Sequence, residues 1–198
     1  TVIQVLYCNL ICAVTLGFVA AVEPAEPGIM DVPPRIVGKR LIGRFLFLSI
    51  ALGTIVLVFV TVGASMWAES ILNSQNNYPA KGTAIYDKIT MMVHSQASNS
   101  LTFGACFVTF SARYNLKSSI GPAVFQNNVF TLYSFLIVTV LQLCITYIPG
   151  LNNVVFSMKG MQAFQWGLVA LGCLIVFLVL EAEKALRRKL KASGSDVE

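Results

Sequence analysis

Five stretches without Asp, Glu, Lys or Arg constrain this sequence more than any other feature: residues 1–22, 45–68, 89–112, 118–158 and 160–180. A helix needs about 20 residues to cross a hydrocarbon layer about 30 Å thick, because each residue rises about 1.5 Å. Four of the stretches fit one span each. The longer one is cut by Gly121-Pro122 and Pro149-Gly150 to a single helix over 123–148, since proline interrupts the helical hydrogen-bond ladder. The expected fold is therefore an all-α membrane protein, a bundle of about five transmembrane helices with spans at about 1–22, 41–67, 89–112, 123–148 and 160–186. Only 12% of the residues are charged, against about 25% in soluble domains, which excludes a water-soluble globule. An integral, multi-pass location in the plasma membrane or an organelle membrane follows, with the lipid bilayer as first partner.

Basic residues set the orientation. Eleven of the fourteen Lys and Arg fall on one side: Arg35, Lys39, Arg40 and Arg44, then Arg113 and Lys117, then the C-terminal group Lys184, Arg187, Arg188, Lys189 and Lys191. Only Lys81, Lys88 and Lys159 fall on the other. This places the C-terminus in the cytosol and the N-terminus outside. The net charge of +5 is then a topology signal and no argument for a nucleic-acid partner. No basic region precedes the first apolar run, so it reads as a span of a truncated or excised chain instead of a signal peptide. Cys8, Cys12, Cys106, Cys144 and Cys173 all lie in spans and match no zinc spacing, which makes them small packing residues.

The third span differs from the rest. Ser95, Ser98, Asn99 and Thr102 recur at helical spacing and give it a polar face that lipid would penalise, so this face should turn into the bundle as an ion path or as polar glue. The second span, rich in Leu, Val and Phe, should face lipid, with Trp67 at the interface. Residues 68–88 read as a long, polar, mobile external loop. His94 is expected near an interface, Gly17, Gly43, Gly53, Gly63 and Gly104 at close helix contacts, and Glu183 and Arg187 as an i, i+4 pair. The tail from Arg187 to Lys191 is read as a topology determinant in contact with anionic lipid.

The run Gln4-Val5-Leu6-Tyr7-Cys8-Asn9-Leu10, with Leu16-Gly17-Phe18, Glu23-Pro24 and Ile29-Met30-Asp31-Val32-Pro33-Pro34-Arg35, resembles the sixth membrane helix and following loop of P-type cation-transporting ATPases. Asn99-Ser100-Leu101-Thr102-Phe103-Gly104 is similar to that family's eighth helix, Tyr147-Ile148-Pro149 to the end of its ninth, and the stretch from Trp166 to Arg188 to its tenth. The resemblance covers nearly all of 1–198 as a C-terminal transmembrane domain, the last five of ten membrane helices. Asp87-Lys88-Ile89-Thr90 does not match the phosphorylated Asp-Lys-Thr-Gly motif of such pumps, because the Thr and Gly are absent after Lys88.

By this resemblance the chain contributes helices to an ion pathway and lacks the ATP-hydrolysing domains. No ATPase activity or catalytic residue is expected of it alone, and ATP and magnesium would bind the missing domains. The implied partners are a transported cation and the remainder of a P-type ATPase or a catalytic partner chain. Calcium-pumping relatives carry Asn, then Thr and Asp three and four residues on, in the sixth helix; here Asn9 is followed by Cys12 and Ala13. The eighth-helix glutamate that follows Phe-Gly in many members is replaced by Ala105. Calcium prefers several carboxylates, so a complete calcium site in this chain alone is not expected. Ala13-Val14-Thr15-Leu16 resembles a branch lacking the sixth-helix aspartate, whose ion could be monovalent or a proton. The cation-pathway residues are Asn9, Asn99 and Thr102, with interhelical hydrogen bonding as the competing role for each. Two other functions fit the same residues: a non-catalytic membrane subunit or scaffold derived from the family, and an independent small channel or transporter.

Overall fold

A computed structural model describes residues 1–22, 43–113 and 129–192. Among them are five long helices and no strand: α1, Val2–Ala21; α2, Arg44–Gln75; α3, Ala84–Ala112; α4, Val129–Tyr147; and α5, Ala163–Ala192. α1, α4 and most of α2 and α5 are long and apolar enough to cross a membrane. α3 has 29 residues, ample length, but is too polar to satisfy the same criterion. The chain is an integral, multi-pass helical membrane protein.

Local chemistry explains the ends. α2 starts after the extended Gly43 and stops where Asn77 and Tyr78 adopt φ of 54° and 52°. The Thr83 hydroxyl accepts from the Tyr86 amide at 3.3 Å to cap α3, and Asp87 in the first turn complements the helix dipole. Asp87, expected in the external loop, is thus part of a helix start. α4 ends at Ile148-Pro149-Gly150, where Gly150 takes φ of 89°, and one wide turn over Leu151–Val155 follows. Within α1, Cys12–Leu16 winds as a π-helix. The expected 68–88 loop shrinks to residues 76–83: Ala68 and Leu72 are fully buried, which holds the last two turns of α2 in place. The 23–42 connection, residues 114–128 and the tail beyond Ala192 lie outside the described residues, and with them Arg35, Lys39, Arg40, Lys117 and the start of the fourth expected span.

α3 is the central helix and packs against each of the other four. Small residues set the closest approaches. A Cβ on Gly104 would collide with Leu57 of α2, and one on Gly172 would lie 2.6 Å from Val60 Cγ1, so α2 rests on α3 and α5 where side chains are missing. Gly53 also faces a neighbour, Leu180 at 3.5 Å, whereas Gly17 and Gly63 meet nothing within 4 Å and need another account. Gly43 precedes α2 as its N-cap. Trp67 is exposed on α2, about two turns before the helix ends at Gln75.

Near the C-terminal end of α5, charge is buried. Lys184 donates to the Ser111 carbonyl at the end of α3 and lies 2.8 Å from Glu181 Oε1, which also accepts from the Ser111 hydroxyl at 3.2 Å. Arg187 pairs with Glu183 at 2.5 Å, and the Ser49 hydroxyl of α2 donates to the same carboxylate at 3.3 Å. The i, i+4 pair is present, but Lys184 and Arg187 are buried between helices. Their cations serve intramolecular contacts, which leaves Arg188 and Lys189 as the exposed basic side chains described in this segment.

Candidate functional site: a buried amide and hydroxyl cluster

The polar residues of α3 turn inward. Ser95, Gln96, Asn99 and Thr102 are each 0% exposed, and Ser98 and Ser100 are buried beside them. Helical spacing aligns Ser95, Ser98, Asn99 and Thr102 on the side that meets α1, α4 and the α4–α5 turn. Cys8 of α1 places its sulfur 3.4 Å from Ser98 Oγ and 3.5 Å from Thr102 Oγ1. Gln142 of α4 donates to Ser98 Oγ at 3.1 Å. Asn99 donates to the Ser95 carbonyl at 2.8 Å and to Thr146 Oγ1 at 3.1 Å, and the Thr146 hydroxyl in turn donates to the Gln142 carbonyl one turn earlier.

The α4–α5 turn closes one end of this cluster. Ser95 Oγ donates to the Lys159 carbonyl at 2.6 Å and also lies 3.1 Å from the Lys159 amide, so one hydroxyl meets both groups of a single residue. Asn152 donates to the Thr146 carbonyl at 3.1 Å, and Gln4 of α1 donates to the Phe156 carbonyl at 2.5 Å. His94 sits at this same end, its Nδ1 3.3 Å from the Ser157 carbonyl. Trp166 donates to the Tyr147 hydroxyl at 2.7 Å and stacks on its ring. Toward the other end, from Phe103 onward, the interior becomes aromatic: Phe103, Phe107, Phe135 and Phe177 meet edge-on or tilted, with centroids 6.1 to 6.3 Å apart. An apolar cavity of about 240 Å³ lies beside these rings, lined by Leu16 and Val19 of α1, Cys106 of α3 and Thr131 of α4.

Several polar atoms in the cluster have no partner. The side-chain carbonyl oxygens of Gln96, Asn99, Gln142 and Asn152 are all buried without a hydrogen bond. Each orphan acceptor costs about 1–3 kcal/mol, so the arrangement is poor as packing and well suited to a guest that supplies positive charge or donors. Among the described residues no three of His, Cys, Asp and Glu come together as a metal site.

Asn99 and Thr102 therefore meet as expected, on one buried face. Asn9 does not join them. It is exposed on α1, one residue beyond Cys8, which takes the inward position, and it lies three residues before the π-wound turn that starts at Cys12. Gln142, Thr146 and Asn152 belong to the cluster and were not singled out from sequence. Gln142 carried a signal, being an amide in the middle of an otherwise apolar span, where a polar group needs a partner. All five cysteines are free, and Cys8, Cys106 and Cys173 are buried, in keeping with a packing role.

A helical membrane bundle whose most polar helix lies at its centre is the class that these observations define. The family described as "Cation transporting ATPase, C-terminus" matches residues 1–186, and the chain belongs to it. It is similar to the protein named calcium-transporting ATPase 1 of Bacillus cereus, with 25% identity over 190 residues that cover 94% of this chain. The chain spans about a fifth, 21%, of that relative's length, and corresponds to the membrane part of a P-type ATPase without its catalytic domains.

Proposed function

We propose that the chain forms part of the cation pathway of a P-type pump, with Asn99 and Thr102 of α3 bordering the path and Asn9 of α1 facing the helices that the rest of the pump provides. The observation that carries this reading is the complete burial of α3's polar face in a chain of this family. Polar packing alone would pair the amides of the cluster, and the oxygens of Gln96 and Asn99 on α3, Gln142 on α4 and Asn152 in the α4–α5 turn stay unpaired. Five spans are proposed, at about 1–22, 41–67, 89–112, 123–148 and 160–186, with the N-terminus outside and the C-terminus cytosolic; the basic residues support that orientation. The partners are the lipid bilayer, the transported cation and the remaining parts of the pump, which bind ATP and magnesium.

The relative named above transports calcium by its name. In this chain the inward-facing oxygens of α3 are amide and hydroxyl oxygens, a neutral ligand field that binds calcium less well than carboxylates do. Any divalent selectivity is accordingly assigned to helices outside these residues. The test is cation-stimulated ATP hydrolysis by the whole pump that contains this chain. Asn99→Leu or Thr102→Val should lower the stimulated rate or shift its cation dependence by about tenfold. An unchanged cation dependence in a variant that folds and assembles would remove these residues from the pathway.

A further inference from the structure

The connection from α4 to α5, residues 148–162, is longer than the roughly two to eight residues that usually join helices in bundles. Its extra length folds inward. Asn152, Phe156 and Met158 are buried while Asn153, Val154 and Val155 stay exposed, so the connection has an inner and an outer face. Phe156 and Met158 pack with Ile145 of α4 and Tyr7 of α1 into an apolar layer, in which the Tyr7 and Phe156 rings meet edge to face at 5.2 Å. Three helices carry a contact to this connection and, one helical turn deeper, a member of the polar cluster. On α1, Gln4 donates to the Phe156 carbonyl, and Cys8 lies beside Ser98 and Thr102. On α3, Ser95 meets both backbone groups of Lys159, and Asn99 follows one turn on. On α4, the Thr146 carbonyl accepts from Asn152, and Gln142 lies one turn earlier. The connection therefore covers the cluster about one helical pitch, or 5.4 Å, away along all three helices.

We infer that the α4–α5 connection is the outer seal of the cluster: pinned to α1 by Gln4 and to α3 by Ser95, it keeps external water from Asn99 and Cys8. The unpaired oxygens of Asn99 and Gln142 would take up water wherever it reached them. Cys8 is only 5% exposed in this chain by itself, so the closure does not wait for the rest of the pump. His94, with Nδ1 3.3 Å from the Ser157 carbonyl, adds a third tie at the same end. All three ties run from a side chain to the backbone of the connection. They can be removed one by one while the helical hydrogen bonds and the apolar layer stay in place. The inference rests on the pathway reading for what the cluster does, and on the proposed topology for which face is the outer one.

Two native thiols report on the seal. Cys8 lies in the cluster, and Cys106, equally buried on α3, lines the apolar cavity beside the aromatic rings toward the opposite end. The whole pump in sealed vesicles is exposed to a membrane-impermeant, charged methanethiosulfonate on one face at a time, and labelling of each cysteine is followed by peptide mass spectrometry. In the unmodified protein both thiols should label slowly from either face. Gln4→Leu combined with Ser95→Ala should speed the labelling of Cys8 from the outer face about tenfold and leave Cys106 as it was. Should the double variant fail to assemble, Gln4→Leu by itself should still give about threefold. Unchanged labelling of Cys8, or Cys106 rising in step with it as in general loosening, overturns the seal. Acceleration from the inner face only overturns its assignment to the outside. Asn99→Leu that alters cation-stimulated hydrolysis while Cys8 stays shut in the loosened variants would leave the pathway reading standing without the seal; an opened seal with hydrolysis indifferent to Asn99 would separate the two in the other direction.

Discussion

α2 and α3 are nearly the same length, 32 and 29 residues, yet they occupy opposite environments. The apolar one is outside. In the membrane-length part of α2 only 6% of the residues are buried, and Phe59, Trp67 and Phe47 are exposed. α3, with its serines, amides and threonines, is wrapped by the other helices. In water the sorting would run the other way. In a bilayer, apolar side chains gain little by leaving lipid, whereas an unpaired amide in hydrocarbon is costly, so polarity and not hydrophobicity selects the central helix. Small residues then let the apolar helix approach, which is how Gly104 and Gly172 receive Leu57 and Val60.

The contrast can be broken at graded positions. Removing the cation at the tail end of α3 should cost most: Lys184→Met takes away the ion pair with the buried Glu181 and the hydrogen bond to the Ser111 carbonyl, for a loss of about 3 kcal/mol in denaturant unfolding from mixed micelles. Adding Glu181→Met should return much of it, and a double variant as unstable as the single one would show that the charges are not coupled. Next is Gly104→Val, which drives a side chain into Leu57 and should cost about 2 kcal/mol. Leu57→Ala in the same chain should recover at least half, and Gly63→Ala on α2, where a Cβ meets nothing within 4 Å, is the matched control. Equal losses at Gly104 and Gly63 would show that α2 does not rest on α3 as described.

Smaller effects sharpen the same picture. Ser95→Ala removes the hydroxyl that meets both backbone groups of Lys159 and should cost about 1 kcal/mol, with faster hydrogen exchange at residues 157–161 as its local signature. Phe59→Ala, on a side chain 75% exposed, should change stability by less than about 0.5 kcal/mol. A larger loss there would mean that the face is covered by protein and not by lipid.

Much of this was legible beforehand because α3 writes its environment in its spacing: Ser95, Ser98, Asn99 and Thr102 share a face, and a shared polar face in a span has few places to go. The helical membrane bundle followed from charge spacing for the same reason. Asn9 was less legible. Its burial depends on which neighbour α1 presents to α3, and Cys8, one residue away, occupies that position. Gln142 signals only that it needs a partner and Asn152 not even that, because each is a single polar group bonded to a partner that the sequence does not point to. The 68–88 segment reads as loop from its polar run Asn73 to Asn77, but Ala68 and Leu72 are buried and the helix continues to Gln75.

The serine that grips Lys159 and the lysine that grips Ser111 have a joint mechanical meaning. They fasten α3 to the chain entering α5 and to the far part of α5 itself, at points sixteen residues or about 24 Å apart along the α3 axis. A beam bolted at two such points cannot slide lengthwise past its neighbour or swing away at one end without shearing a bolt. It can roll only as one piece with that neighbour. A lengthwise shift of α3 would therefore have to carry α5 with it.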